Sequence, residues 1–330
     1  MTVSVGIDIA ARSFDLVCRD NGRNQPAQTF AQTPADQAQV VQQLQALRPT
    51  HIVVEATGIY YLDLAVALAE AGLPVSVINP KSFRHFAQLK LTGSKTDPVD
   101  AALLAEYGAR MTPPVWTPPE AIHLALRDIG RQINRLTGAR TQAKNRLHAL
   151  TAKQMTPQLL IDDEQQAIDA LDQRLDRLQQ AARELIDDCP VLAQQFQVMT
   201  AAKGIGQASA IALLAELAVL PDHLKAAQVS RHAGLDVRLN QSGSSVHKPG
   251  RLAKTGNAYL RAALFMPALS AVRHDPRARA FYESLIQRGK KKIQALCAVM
   301  RKYLTGLWAC LRDNTPFDSA KLFSECHLKT

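Results

Sequence analysis

Residues 3–22 read VSVGIDIAARSFDLVCRDNG, and how they fold decides the architecture of everything before residue 119. VSVGIDI (3–9) and SFDLVCR (13–19) are rich in β-formers. DNG (20–22) is a hairpin turn signal, and AQTFA (27–31) offers a third strand. Working outward, a helical pattern over 35–47 leads to the apolar strand HIVVEA (51–56), a helix over 59–71, the strand VSVIN (75–79) and a helix from about Asp97 to Arg110. The order β-β-β-α-β-α-β-α predicts an α/β domain with a mixed sheet and helices on its faces. TPPVWTPPE (112–120) carries four prolines, cannot continue a helix, and marks a domain border.

Beyond the border the period changes. Leu126, Ile129, Ile133, Leu136, Ala143, Leu147 and Leu150 follow a 3-4 alternation, as do Ile168, Leu171, Leu175, Leu178, Ala182 and Leu185 after the break TAKQMTPQ. Two helices with such seams predict a coiled-coil hairpin, closing within the chain or between chains. From 188 onward the chain reads as mostly helical with short loops. The domains expected are therefore 1–118, 119–187 and 188–330.

Charge is unevenly divided. The formal net charge is +10, but residues 1–187 hold 19 Lys and Arg against 20 Asp and Glu, while 188–330 hold 20 against 9. Such a basic C-terminal part predicts a polyanionic partner, above all nucleic acid. Arg127, Arg131 and Arg135, at successive i+4 positions, form either a phosphate-tracking stripe or a solvated face. TAAKGIGQASAIALLAEL (200–217) is read as a helix-hairpin-helix in which Gly204 and Gly206 permit close backbone approach to phosphate. Arg238, Lys248, Arg251, Lys254 and Arg261 are further candidate phosphate contacts.

Five scattered cysteines with no zinc-like spacing read as reduced thiols, and the start MTVSVGIDIA lacks a signal-peptide pattern. The longest apolar run, ASAIALLAELAVL, is too short to span a bilayer and contains Glu216. The expectation is a cytoplasmic protein. Trp116 and Trp308 are expected as core anchors, and Asp15 as a surface residue.

Four carboxylates are candidates for the chemistry. Asp8 and Glu55 lie near strand ends, where side chains of an α/β sheet converge on a crevice, and Asp97 and Asp100 project from one face of a helix start. Such a set could hold two divalent ions about 4 Å apart, and hard oxygen donors favour magnesium. The plainer alternative is that Thr96 or Asp97 only caps a helix, with Asp100 complementing its dipole. In the C-terminal part, no acidic residue occurs between Asp236 and Asp275, and QSGSSV (241–246) offers three hydroxyls, Ser242, Ser244 and Ser245, to a phosphate.

GIDIA, IVVEATGIY, VINP, SKTDPVDAALLAEYG, QSGSSV and RLAKTGNAYLRAALFMPAL together resemble one family, the DEDD-type insertion-sequence transposases. These are RNA-guided recombinases of bacterial mobile elements, related to pilin-gene invertases. The resemblance implies a RuvC-like ribonuclease H fold, a coiled-coil middle and a C-terminal transposase domain. It places the acidic tetrad on Asp8, Glu55, Asp97 and Asp100 and a catalytic serine on Ser242. A lysine usual after the first Asp is replaced by Ala11, beside Arg12. Donor and target DNA, a guide (bridge) RNA, a homodimer and a tetrameric synaptic complex are the partners implied. The mechanism expected is attack of Ser242 on a phosphodiester, giving a phosphoserine link, with Mg²⁺ on the tetrad. A junction-resolving endonuclease without a covalent intermediate and a non-enzymatic architectural DNA-binding protein are the competing readings.

Overall fold

The computed structural model describes residues 3–90, 96–242 and 246–323, with the side chains of 239–242 and 246–249 outside that description. The chain divides into two compact units, Met1–Pro118 and Pro119–Thr330.

The first unit is a sheet with helices on both faces. Strands β1 (Val3–Ile9), β2 (Ser13–Asp20), β3 (Arg23–Asn24) and β4 (Gln28–Ala31) are followed by α1 (Pro34–Leu47), β5 (His51–Glu55) and α2 (Leu62–Glu70). β6 (Val75–Ile78), α3 (Pro80–Leu89) and α4 (Asp97–Met111) complete it. The strand order is β3-β2-β1-β5-β6, with β4 also on β2. β1 and β2 pair antiparallel from Val3↔Asp20 to Ile9↔Phe14, and β5 and β6 run parallel to β1. Asn21 and Gly22 both take positive φ (46° and 82°), the conformation a two-residue hairpin turn requires.

Alternation along β1 sorts its two faces. Val5, Ile7 and Ile9 join Leu44 of α1 and Leu64 and Leu68 of α2 in one core. Gly6 faces α4 so closely that a Cβ there would strike the Ala101 carbonyl oxygen and the Ala105 amide, with Leu104 C only 2.8 Å away. Gly108 lets the helix settle from the other side, its missing Cβ falling 2.8 Å from Val53 Cγ2. Gly6→Ala is therefore expected to destabilise by at least about 1–3 kcal/mol, the cost of overpacking against a backbone that cannot yield, read as a lower urea midpoint.

Three expectations for this unit are corrected. α3 is a helix that the sequence reading did not include, although its start is written in Asn79 and Pro80, since Asn79 Oδ1 accepts from Lys81 N at 2.8 Å and Pro80 opens the helix. α2 begins at Leu62 rather than residue 59, because Gly58 (φ 64°) turns the chain first. Asp15 is not a surface residue: it is buried, opposite Asp8 across the β1/β2 ladder, and accepts from the Thr29 hydroxyl.

The second unit opens with α5 (Ala121–Thr151) and α6 (Gln158–Asp187), which pack on each other in opposite directions. Arg140 Nη1 meets Asp172 Oδ1 at 2.7 Å, and Arg146 Nη2 meets Glu164 Oε1 at 2.7 Å. Leu126, Ile133, Leu136 and Ala143 face inward, as do Ile168, Leu175, Ala182 and Ile186. Most of this seam runs into the core of the helices that follow. Those are α7 (Pro190–Thr200), α8 (Gln207–Leu217), α9 (Ala226–His232), α10 (Ala258–His274), α11 (Pro276–Gln287), α12 (Lys292–Asp313) and α13 (Ser319–Leu322). Trp308 is buried here and donates from Nε1 to the Leu224 carbonyl at 2.8 Å.

Where only helices and short loops were expected after residue 188, the chain also forms an antiparallel pair, β7 (Val237–Ser242) and β8 (Val246–Leu252), with an irregularity between Arg238 and Asn240. Its Gly, Ser and Pro content masked the pairing in the sequence. Among the described residues no helix is long and apolar enough to cross a membrane.

Candidate functional site

The acidic set is built from three segments of the first unit. Gly6 pairs with Val53 and Ile7 with Val54 across β1 and β5, so Asp8 and Glu55 stand one residue past the last paired position. By the two-residue period both lie on the face that Gly6 and Val53 present to α4. Seating α4 flush on Gly6 brings the first turn of that helix, with Asp97 and Asp100, over the end of β1. Thr96 is the N-cap and makes no side-chain capping bond, and Asp97 is already the first helical residue. A capping role therefore does not account for Asp97.

The electrostatics agree with the placement. The Asp8 carboxyl is pushed up to about 6, first by burial and then by the negative charges of Asp100, Asp97 and Glu55, against a stabilising backbone hydrogen bond from Ile9. Glu55 is steadied by the Thr57 hydroxyl, which donates to Oε1 at 2.5 Å. Among the described residues no three His, Cys, Asp or Glu side chains stand at metal-ligating distance. The donor set is nonetheless all hard oxygen, and its crowded negative charge suits a divalent cation.

In the second unit the basic candidates separate into two groups. Arg131 is committed inward: Nε and Nη2 meet Glu216 Oε1 and Oε2 at 2.7 and 3.0 Å, and its guanidinium lies 5.1 Å from the Tyr259 ring centre. Arg261 donates to the Ala233 carbonyl at 2.9 Å, and Arg127 is mostly covered, with Asp128 at 3.6 Å. Arg135, Arg238, Arg251 and Lys254 are exposed. Arg135 donates to the Tyr259 hydroxyl (3.3 Å) and Arg238 to the Thr255 hydroxyl (2.7 Å). Gly204 (φ 94°) turns toward α10, where a Cβ would lie 2.8 Å from the Pro267 carbonyl oxygen, while Gly206 caps α8 in open space. The backbone of Ser242 ends β7 and that of Lys248 lies in β8; both side chains, and Gly243 to Ser245 altogether, lie outside the described residues.

Sequence reasoning missed the network around Glu216. This carboxylate is 2% exposed and also accepts from Asn257 Nδ2 at 2.5 Å, while Asn257 Oδ1 caps α10 through Leu260 N at 3.0 Å. The signal was a single acid inside ASAIALLAELAVL, where an unpaired charge would be prohibitive.

Comparison with known proteins gives a consistent picture. The DEDD transposase family model of IS110 elements matches residues 5–157, and the model described as "Transposase IS116/IS110/IS902 family" matches residues 197–283. A pilin gene-inverting protein of Moraxella bovis is 31% identical over 95% of this chain and 97% of its own. That of Moraxella lacunata is 31% identical over the same shares. An uncharacterized 43.6 kDa protein of insertion element IS110 from Streptomyces coelicolor is 33% identical over 37% of this chain and 30% of its own. Among solved structures, Thermus thermophilus RuvC in complex with a Holliday junction substrate aligns over 34% of this chain and 96% of its own, at 20% identity and a TM-score of 0.27.

The phosphoserine step expected at Ser242 is corrected by these matches. The model over 5–157 is described by its DEDD acidic set, which contradicts a serine-linked intermediate, and that step is dropped. With family models at both ends and full-length relatives above 30% identity, the chain belongs to the IS110/IS116/IS902 family of transposases.

Proposed function

We propose that this chain is the recombinase of an insertion sequence, joining donor and target DNA, with strand cleavage and transfer centred on Asp8, Glu55, Asp97 and Asp100. The observation that carries the reading is the convergence of Glu55, Asp97 and Asp100 on the half-buried Asp8, whose carboxyl is lifted to about 6 first by burial and then by these three charges. Asp8 and Glu55 are carried by the strand ends and Asp97 and Asp100 by the first turn of α4, so the backbone brings the four carboxylates to one end of the sheet, and a bound cation would draw their oxygens into ligating distance. Two magnesium ions bound there would neutralise charge on the attacking and leaving oxygens of a phosphodiester. Exposed Arg135, Arg238, Arg251 and Lys254 hold the DNA or RNA backbone without reading its sequence.

The reading extends to a guide RNA on the basic second unit and to a homodimer that pairs into a tetramer around the two DNAs. Family membership and the basic excess of residues 188–330 support it. Sequencing the nucleic acid that copurifies with the protein tests guidance. A discrete RNA encoded beside the gene is expected; random cellular RNA would leave electrostatic attraction alone.

A further inference from the structure

Between Glu55 and α2 the chain makes a braced turn whose side chains are left outside. A tight turn at Ala56 lets the Thr57 amide donate to the Glu55 carbonyl at 2.8 Å and the Thr57 hydroxyl to the Glu55 carboxylate, and Gly58 (φ 64°) then turns the chain again. The next two residues are then turned outward: Ile59 is 74% exposed and Tyr60 47%. Tyr60 Cδ2 and Cε2 lie 3.7 and 3.8 Å from the point a Gly58 Cβ would occupy, so the ring rests on bare backbone. Tyr61, by contrast, packs against the core under α1 and α2.

The brace is Gln32. Its Nε2 lies 3.3 Å from the Tyr60 carbonyl oxygen and 3.4 Å from that of Ala10, two residues beyond Asp8, and Gln37 Nε2 donates to its Oε1 at 2.9 Å. One side chain thus ties the Ile59–Tyr60 turn to the end of β1. Single exposed apolar residues are ordinary on protein surfaces. Two in succession, on a turn fixed to both carboxylate-bearing strands, are placed relative to the acidic set rather than scattered.

The neighbouring charges select what can sit there. Four carboxylates repel an acidic peptide or an anionic lipid surface, and the phosphate group admitted among them is the one that bound cations would attract. An uncharged, flat contact beside them favours the uncharged part of a nucleic acid, the face of a base. We propose that the Ile59–Tyr60 turn receives an unstacked DNA base next to the phosphodiester presented to the carboxylates, with Tyr60 as the stacking surface and Gln32 as its positioning residue. This inference rests on the reading of the acidic set as the DNA-cutting centre.

The test uses the full-length protein and a DNA duplex with a short unpaired bubble, carrying 2-aminopurine at successive bubble positions. Wild type is expected to change the fluorescence at one position. Tyr60→Ala should abolish that change and weaken bubble binding about tenfold, the order found for losing one base stack, whereas Tyr60→Phe should preserve both. An unaltered melting temperature in Tyr60→Ala separates this from misfolding. A Tyr60→Ala protein that gives the wild-type signal and affinity overturns the proposal. Asp8→Asn separates the two readings: it should fail to cut DNA yet retain the 2-aminopurine signal. Cutting by Asp8→Asn would sink the reading of the centre, while the signal in Tyr60→Ala still decides the role of the turn.

Discussion

Asp8→Asn is expected to abolish DNA strand cleavage, by about ten-thousandfold or more, the order of loss when one member of a catalytic unit is removed. The same substitution should make the metal-free protein more stable, which is the unusual half of the prediction. The Asp8 carboxyl lies at about 6 in the folded chain against 3.8 for an unperturbed aspartate. Between those values the folded state binds more protons than the unfolded one, so stability falls as pH rises from 3.8 to about 6, and the penalty is complete above that range. Asparagine removes the charge. With allowance for solvent screening at this half-buried site, the gain at neutral pH is about 1–2 kcal/mol. Thermal melts of wild type and Asp8→Asn at pH 4 and pH 7.5 in EDTA measure it. The curves should converge at the lower pH and separate at the higher, and magnesium should raise the wild-type midpoint alone at pH 7.5.

The largest stability effect is expected at Glu216→Ala. Glu216 is 2% exposed and the Arg131 side chain 27%, so deleting the carboxylate strands a guanidinium inside the second unit and removes an acceptor from Asn257. Breaking a buried pair by removing one partner costs about 3–5 kcal/mol, which for a unit of this size lowers the melting temperature by about 10 °C. Replacing both members with apolar residues, Glu216→Leu with Arg131→Met, should restore much of the loss, because the cost lies in the unpaired charge rather than in missing attraction. Differential scanning calorimetry of the single and double variants distinguishes these outcomes. Equal losses in both would mean that side-chain shape, and not charge, holds α5 against α8.

These two sites also show what a sequence discloses and what it withholds. The first unit was largely legible, because β1, β2 and β5 are dense in β-formers, DNG specifies its turn, and Asp8 and Glu55 lie near the ends of neighbouring strands. Local spacing could not report partners far along the chain. Arg131 shares an i+4 stripe with Arg127 and Arg135, yet it faces Glu216, 85 residues away, while Arg135 faces outward. Asp15 was misplaced for the same reason: its burial follows from pairing with Asp8 on one strand and Thr29 on another. The β7/β8 pair was hidden because glycine, serine and proline signal turns, whereas its pairing depends on cross-strand register from Val237↔Leu252 to Ser242↔Val246. α3 was missed although its sequence carries both signals, the Asn79–Pro80 start and an apolar face with Phe83 and Phe86 buried; at ten residues it is short enough to be passed over as a connection between β6 and α4.

Manganese binding followed by electron paramagnetic resonance at pH 7.5 tests the carboxylate centre most directly, because the ion reports its own coordination without any DNA. Wild type should bind with a signal that weakens in Asp8→Asn, Glu55→Gln, Asp97→Asn and Asp100→Asn alike. An undiminished signal in Asp8→Asn, the residue on which the other three charges converge, would contradict a shared metal centre.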